Sequence, residues 1–281
     1  MELKDDQDKL IHKDLTYVAS LGSLFKYVNI NSGILALKNC NIYFNSPLQF
    51  NDPYDCDTSL IEIESKYFEQ LVKSEFQKFK SKFSTSPAIK KMKTPPPAVL
   101  YPSFKNDMKQ QLKNDLLQQT RITCFSEVPT NPLMWAHYSD KHTGVCIEYD
   151  SQKLIIYLSK VNHVFQSPGV FLKVSYKEKL SKVYYDEGNY EKLLEWVSAK
   201  SKDWSYEREI RYVIPNWKDS IFGNSLPINH QIIKKIYLGH QIKVKDELKV
   251  KQICKAYFPH VQIAKMALSD KEYGLEGIPV T

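Results

Sequence analysis

Two glutamates, Glu207 and Glu209, are separated by a single residue in the segment YEREIRYV, between bulky aromatic residues and a strand-like alternation. Residues two apart in an extended chain point to the same side, at a separation of roughly 6 to 7 Å. One such carboxylate can stabilise positive charge that develops on a bound sugar, and its neighbour can orient or deprotonate an acceptor. The segment therefore predicts a catalytic pair, with Glu209 in the first role and Glu207 in the second.

The same segment also fits an edge strand that has no catalytic role. In that interpretation Glu207, Glu209 and Arg211 lie on the solvent-exposed face of the strand, and the residues between them lie on the other face. The preceding loop, KDWSYE, places Trp204 and Tyr206 directly ahead of the carboxylates. Aromatic side chains on a loop are costly to expose unless they bind something, so the loop favours the catalytic interpretation.

A second group of candidate residues lies in the segment CFSEVPTNPLMWAHYSDKHTGVCIEYD. Ser126 ends a predicted strand, and a turn bounded by prolines leads into the short helical run LMWAHY. Met134 and Trp135 are predicted to fill the core. His137 and Tyr138 fit two places equally well, the core or the wall of a pocket for a flat, polar ligand.

An acidic cluster offers a metal-dependent alternative. Asp52, Asp55 and Asp57, with a distant Glu148, form a candidate magnesium set of the kind that a nuclease uses. The same aspartates beside Pro53 also fit an ordinary Asx turn, which we favour. The histidines show neither HxxxH nor HExxH spacing and the cysteines form no CxxC pair, so no zinc site is predicted.

Short apolar or alternating runs separated by turns predict the strands. Two lie early, SLFKYV and CNIYFNS, with a helix between them that is begun by Asn31 or Ser32. Six more follow: RITCFSE, GVCIEYD, FLKVSY, REIRYVI, IKKIYLG and VQIAKMAL. Because helices are clustered rather than interleaved with these strands, the pattern predicts an α+β fold with a mixed or antiparallel sheet.

A helical insertion is predicted at residues 62–119. Apolar residues recur at helical spacing over 62–83, and a second amphipathic stretch covers 104–119, with a proline-rich loop between them. This insertion interrupts the β-rich body. The chain, 1–281, is predicted to form a single domain with a polar leader at 1–20.

Composition and charge restrict the function class. The chain has 281 residues, of which 42% are hydrophobic, and a formal net charge of +7. A polyanionic partner is permitted, so nucleic acid is slightly preferred over protein as an acceptor. Five cysteines without a CxxC pair indicate reduced thiols, and no apolar run reaches the ~20 residues of a membrane span. We expect a cytoplasmic protein with no membrane partner.

Four blocks of the sequence are similar to a known family. NDPYD, CFSE, MWAHY and YEREIR occur in this order and resemble a bacterial and phage family known as a domain of unknown function, DUF2971. The resemblance extends over most of the chain outside the leader and the insertion. It brings no established activity.

The chain also resembles the ADP-ribosyltransferase superfamily, whose split sheet clamps NAD. Lys26 with Tyr27 on the first strand resembles the basic element of that superfamily, although Arg or His is usual there. Ser126 resembles its second element, and Glu207 with Glu209 its Glu-x-Glu element. The resemblance implies a split, ADP-ribosyltransferase-like sheet.

That resemblance also implies NAD as the substrate, with transfer of ADP-ribose to an acceptor or hydrolysis of NAD. Lys26 or Arg211 would hold the pyrophosphate, while Tyr27, Ser126, His137 and Tyr138 would complete the NAD site. A toxin or anti-phage effector is a natural setting for such an enzyme. Two other hypotheses stay open, the metal-dependent nuclease and a non-catalytic module that binds a nucleotide or a partner.

Overall fold

The computed structural model describes most of the chain. The described residues are 2–93, 106–107, 110, 113–114, 116–162, 168–180, 182–185, 190–215, 217 and 223–280. Within them the helices are α1 Glu2–Ser20, α2 Ile30–Asn39, α3 Ser65–Lys82, α4 Pro87–Lys91, α5 Pro132–Tyr138, α6 Ser151–Val161, α7 Tyr190–Ser198 and α8 Val244–Tyr257. The strands are β1 Ser23–Val28, β2 Asn41–Tyr43, β3 Ile61–Ile63, β4 Arg121–Ser126, β5 Val145–Asp150, β6 Val170–Lys173, β7 Ser175–Lys177, β8 Val183–Tyr185, β9 Ala199–Ser201, β10 Glu209–Ile214, β11 Ser225–Pro227, β12 Ile233–Leu238, β13 Gln262–Leu268 and β14 Leu275–Pro279.

An eight-stranded sheet forms the centre of the molecule, in the order β14-β13-β12-β5-β1-β4-β10-β6. Its neighbouring strands run antiparallel, except that β12 and β13 run parallel. Smaller two-stranded sheets pair β11 with β2, β3 with β8 and β7 with β9. The predicted α+β class with a mixed sheet is confirmed.

The large sheet is nearly divided between β1 and β4. These strands pair at a single position, Phe25 with Ser126, whereas β1 pairs with β5 along its whole length. Beyond that position the side chain of Lys26 bridges the gap, since its Nζ donates to Thr123 Oγ1 at 2.8 Å and to the Cys124 carbonyl at 3.1 Å. We call this gap between β1 and β4 the split.

One face of the sheet is covered by α1, α2, α6 and α8, which share a single apolar core with it. The core residues from these helices are Val18, Ile34, Leu37, Leu154, Leu158, Val250, Ile253 and Cys254. Their spacing of three and four follows one side of each helix, which explains why these helices lie flat on the strands. Among the described residues, no helix is both long and apolar enough to cross a membrane.

The other face carries two separate apolar clusters. On one side of the split, Met134 and Trp135 of α5 pack with Phe25 and Tyr27 of β1. On the other side, α7 packs on β4, β6 and β10, with Trp196 buried between them. A cavity lies between these clusters because neither helix covers the split.

The polar leader expected at residues 1–20 is instead the helix α1. Val18 of this helix is completely buried in the core. The Asp14 carboxylate accepts a hydrogen bond of 3.0 Å from the backbone N–H of Lys173 in β6. Helix α1 therefore covers the outer edge of β6, which would otherwise expose unpaired backbone groups.

The expected insertion is observed in part. Helix α3 confirms the helical periodicity, and its first half buries Phe68 and Val72 while Phe79 and Phe83 stay exposed. The proline-rich loop is described only over 84–93, where it contains the short helix α4. Within the expected helix at 104–119, the described residues 106–107, 110, 113–114 and 116–119 are all helical. The earlier helix, α2, is capped by Asn29, whose side chain accepts from Ser32 N, so the expected start at Asn31 or Ser32 was wrong.

A tight loop joins α5 to β5 and fixes how α5 sits beside β1. Asp140, Lys141 and His142 all have positive φ values of 49 to 66°, which non-glycine residues adopt only when the surroundings require it. The backbone then passes so close to β1 that a Cβ on Gly144 would lie 2.2 Å from the Val28 carbonyl oxygen. Only glycine fits at this point.

We expect Gly144→Ala to lower the free energy of unfolding by about 1 to 3 kcal/mol, because backbone atoms must move to admit the methyl group. Gly274→Ala is the matched control, since its nearest neighbouring atom would lie 3.8 Å from the new Cβ. Urea unfolding of both variants measures the difference. Equal stabilities would contradict this account of the loop.

Candidate functional site

A cavity of about 470 Å³ opens in the split and gathers most of the predicted site residues. Residues from β1, α5, the end of β4 and the start of β10 share its wall. The predicted residues that line it are Lys26, Tyr27, Ser126, His137, Tyr138, Glu207 and Glu209. These side chains come from segments far apart in the sequence, so the fold unites them.

A sharp backbone corner, not an extended chain, presents the two glutamates. Glu207 is the last residue of a 3₁₀ helix, Lys202–Glu207, and Arg208 then adopts a left-handed conformation with φ 47°. Glu209 opens β10, which lies inside the sheet between β4 and β6 with every residue buried. The alternative of an amphipathic edge strand was therefore wrong.

Arg211 lies at the centre of a buried ion network and is completely inaccessible to solvent. Its Nε and Nη2 donate to the two oxygens of Glu209 at 2.8 and 3.0 Å. Its Nη1 and Nη2 donate to the two oxygens of Asp55 at 2.9 and 2.6 Å, and Nη1 also donates to the Val197 carbonyl at 2.7 Å. A guanidinium has five N–H donors, and these five bonds use all of them.

The predicted role of Arg211 in holding a pyrophosphate is corrected by this geometry. Arg211 is not among the residues that line the cavity, and it has no donor left for a ligand. Its role is to fix Glu209 and the loop that carries Asp55. Such bidentate pairs also set the orientation of the carboxylates.

Lys200, which the sequence did not single out, joins the two glutamates. Its Nζ lies 2.5 Å from Glu207 Oε2 and 3.1 Å from Glu209 Oε2, with Asp55 Oδ2 at 3.5 Å. Lys200 is buried, and its Nζ lies 5.1 Å from the centre of the Trp204 ring. The amine holds the two carboxylates together in spite of their mutual repulsion.

The two carboxylates have opposite protonation behaviour. Burial and the charge of Glu209 raise the pKa of Glu207 to about 7, against the opposing effect of Lys200 and of the Tyr138 hydroxyl. Burial acts in the same sense on Glu209, but Arg211 and Lys200 outweigh it and hold the pKa of Glu209 below its ordinary value. A pair whose environments push the pKa values apart can divide acid–base and charge-stabilising roles.

Tyr138 is the predicted pocket residue that touches this pair directly. Its hydroxyl donates to Glu207 Oε1 at 2.5 Å. Burial raises the pKa of Tyr138, and the charge of Glu207 adds to the effect. Tyr138 therefore stays a hydrogen-bond donor and orients the Glu207 carboxyl group.

Ser126 and Tyr27 use their hydroxyl groups within the protein. Ser126 Oγ donates to the Glu207 carbonyl at 2.7 Å, and Tyr27 OH donates to the Val128 carbonyl at 2.7 Å. Either hydroxyl could donate a hydrogen bond to NAD only by losing one of these bonds, although its oxygen can still accept one. Their structural effect is to fix the backbone of Glu207 and the chain that follows β4.

Lys26 differs from Arg211 and Lys200, the two buried cations of the site. Among the described residues it forms no ion pair with a carboxylate, and its Nζ bonds only neutral oxygens. Burial lowers the pKa of Lys26, while Cys124 and Glu209 oppose that shift. An anionic ligand in the cavity would supply the ion pair that this amine lacks among the described residues.

His137 lies at the mouth of the cavity and is exposed to solvent. Its ring centre lies 6.2 Å from that of Trp204 and 6.3 Å from that of Tyr206, and these two rings lie 6.0 Å apart. Ring spacings in this range suit offset or edge contacts. The pocket interpretation of His137 therefore agrees with its position better than the core interpretation.

The acidic set expected for a nuclease is not brought together. Asp55 is bound by Arg211, and Asp57 caps a short helix by accepting from Ser59 N at 2.8 Å. Glu148 lies on β5, where it accepts from Tyr237 OH at 3.0 Å. Within the described parts of the chain, no three His, Cys, Asp or Glu side chains form a possible metal-binding group.

Comparison with known proteins gives a family match over part of the chain. A model of the DUF2971 family, described as a protein of unknown function, matches residues 134–212. The matched part includes MWAHY and YEREIR but not NDPYD or CFSE, so the resemblance is shown for a smaller region than we expected. No curated protein and no solved structure matches the chain, and nothing in these comparisons supports the ADP-ribosyltransferase resemblance.

We expect Arg211→Met to lower the free energy of unfolding by about 3 to 5 kcal/mol, because Glu209 and Asp55 would be left as buried charges without their partner. The control is Lys202→Met, which removes an exposed ion pair with Glu178 and should change stability by less than about 1 kcal/mol. Urea unfolding compares the two. A small effect at Arg211 would show that water or Lys200 replaces the guanidinium.

The raised pKa of Glu207 predicts a pH-dependent stability. Because the folded protein binds this proton more tightly than the unfolded chain does, the contribution of Glu207 is fully present below its unfolded pKa of about 4.5 and is lost as the pH rises through about 7. We expect Glu207→Gln to gain stability relative to the wild type over that interval. Thermal unfolding from pH 4 to 8 measures this difference, and a constant difference would contradict it.

Proposed function

We propose that this protein cleaves the nicotinamide–ribose bond of NAD and transfers the ADP-ribose to an acceptor or to water. One observation carries the proposal: Glu207 and Glu209 face one cavity with pKa values displaced in opposite directions. Breaking this N-glycosidic bond develops positive charge on the ribose. An enzyme for it needs a fixed anion and a group that exchanges a proton at neutral pH.

The cavity has groups suited to each part of this substrate. Lys26 is a cation without a carboxylate partner among the described residues, and it fits a pyrophosphate. His137 lines the cavity, and the rings of Trp204 and Tyr206 lie next to it, so these three rings provide surfaces for flat groups beside the cavity. A volume of about 470 Å³ lies within the usual range for small-molecule sites.

Glu209 supplies the fixed anion in this mechanism. Arg211 and Lys200 keep it ionised and hold its position, so no reorganisation is needed when charge develops on the sugar. A pre-oriented charge in a buried site favours the transition state over the ground state. Glu209 stabilises the positive charge on the ribose electrostatically and does not exchange a proton.

Glu207 supplies the proton-transfer group. Its pKa of about 7 places both protonation states within reach at neutral pH, which is the condition for efficient acid–base catalysis. Tyr138 and Lys200 hold one oxygen each, at 2.5 Å in both cases. Glu207 takes a proton from the attacking acceptor or water, while Lys26 holds the anionic part of the substrate.

The net charge of +7 favours nucleic acid over protein as the acceptor in this proposal. A toxin or anti-phage effector is the setting in which such a transfer is useful, and that setting rests on analogy alone.

One observation favours a second candidate, a nucleotide-binding module without catalysis. Ser126 and Tyr27 are committed to backbone carbonyls, as structural residues are.

An assay of nicotinamide release tests the proposal. We expect the wild-type protein to release nicotinamide from NAD and Glu207→Gln to lower kcat by about 10² to 10⁴-fold, because the proton-transfer group is lost. Glu209→Gln should lower kcat by about 10² to 10³-fold through the loss of charge stabilisation. Glu178→Gln, at an exposed glutamate, is the matched control and should retain full activity.

Binding is measured beside turnover in the same experiment. If NAD raises the melting temperature but no protein releases nicotinamide, with or without nucleic acid or protein acceptors, the non-catalytic module replaces the enzyme. If NAD neither raises the melting temperature nor is cleaved, the enzyme and a module that binds NAD are both excluded.

A further inference from the structure

Glu127 directly follows β4 and binds the outside of the corner between the two glutamates. Its side chain is only 4% exposed. Glu127 Oε2 accepts from Arg208 Nε at 3.0 Å and lies 2.8 Å from Arg208 Nη2, while Oε1 accepts from Tyr17 OH at 2.7 Å. Lys173 Nζ lies 3.4 Å from Oε1. We call Tyr17, Glu127, Lys173 and Arg208 the outer cluster.

The corner depends on an unfavourable backbone conformation at Arg208. This residue has φ 47° and ψ 53°, which is the left-handed region that side chains with a Cβ disfavour. The backbone N–H of Glu127 donates to the Arg208 carbonyl at 3.1 Å, and the Glu127 side chain holds the guanidinium. Both contacts act on the one residue that separates Glu207 from Glu209.

The outer cluster also connects α1 to this corner. Tyr17 is on α1, and Lys173 is at the end of β6 with its Nζ 3.7 Å from the centre of the Tyr17 ring. Asp14 of α1 accepts from the backbone N–H of the same lysine. Docking of α1 on β6 is therefore joined by continuous contacts to the backbone that presents the glutamates.

We propose that Glu127 is a positioning residue that holds the left-handed corner at Arg208, and that Tyr17 of α1 supports Glu127 in this role. Glu127 itself does not line the cavity. Its effect reaches the cavity through the backbone of residues 207–209. The inference rests on the proposed function for its activity readout, but its titration readout is independent of any reaction.

Two substitutions at Arg208 separate the ion pair from the backbone effect. Arg208→Ala removes the guanidinium and keeps the Cβ that disfavours the left-handed region. Arg208→Gly removes the guanidinium too, but glycine adopts that region freely. If Glu127 acts by holding the corner, Arg208→Gly keeps the Glu207 titration and the rate of the wild type, whereas Arg208→Ala changes both. In a protein that already carries Arg208→Gly, the further substitution Glu127→Ala should then have a much smaller effect than it has alone.

The first readout is the titration of Glu207, followed by carboxyl-carbon NMR on the labelled full-length chain. Lys200, Tyr138 and Glu209 surround this carboxyl group. Opening of the corner admits water, so in Glu127→Ala and Arg208→Ala we expect the midpoint to fall from about 7 towards the usual value for glutamate. Tyr17→Phe should give a smaller shift in the same direction, and Glu178→Ala none.

The second readout is nicotinamide release. Displacement of a catalytic group by about 1 Å costs on the order of 10²-fold in rate, so we expect Glu127→Ala and Arg208→Ala to lower kcat by about that factor with little change in KM. Arg208→Gly should stay close to wild type.

The outcomes are separable. An unshifted Glu207 titration in folded Glu127→Ala, or equal impairment by Arg208→Gly and Arg208→Ala, overturns the role of Glu127 in holding the corner. A Tyr17→Phe protein identical to wild type in both readouts overturns the supporting role of Tyr17. If the wild type itself releases no nicotinamide while the titration shifts as expected, the proposed function fails and the positioning role stands.

Discussion

The bidentate binding of Arg211 to both Glu209 and Asp55 is the interaction on which the site depends. Burying three ionised groups is costly, and attraction repays that cost only when every donor is matched by an acceptor in good geometry. Here all five N–H groups of the guanidinium find such partners. Two sequence-distant segments, the loop after residue 50 and β10, are thereby fixed relative to each other at the floor of the cavity.

The different protonation of Glu207 and Glu209 follows from that arrangement. Because Glu209, Asp55 and the Val197 carbonyl use every donor of Arg211, the second buried cation of the site, Lys200, is shared between Glu209 and Glu207. One amine cannot offset the charge of both carboxylates, so the less well-paired of them, Glu207, retains its proton more readily. The difference between the glutamates thus comes from the number of cations around each one, and both are buried.

The sequence predicted the features that depend on local pattern. Alternation predicted β1, β4, β5 and β10, and the nearness of Glu207 and Glu209 in the chain was enough to place them in one site. Helix α1 was missed although Ile11, Leu15 and Val18 recur at helical spacing, because the abundant charges of that segment suggested a solvated leader.

The roles of Arg211 and Lys200 could not be predicted in this way. Both are decided by partners that only the folded chain brings near, such as Asp55, and no spacing in the sequence distinguishes Lys200 from the neighbouring surface lysines. The loop NDPYD was correctly read as a turn, but its aspartate Asp55 also serves as a counter-ion in the core. Long-range charge pairing leaves no periodic signal.

The strand order has a consequence for synthesis of the chain. On one side of the split lie β1, β5 and β12 to β14, and on the other β4, β10 and β6, so the chain passes back and forth between the halves and neither is encoded by a contiguous stretch. Strand β1 leaves the ribosome well before its main partner β5, and β4 well before β10. Such a high contact order slows folding, and the cavity can be completed only after β10 has been made.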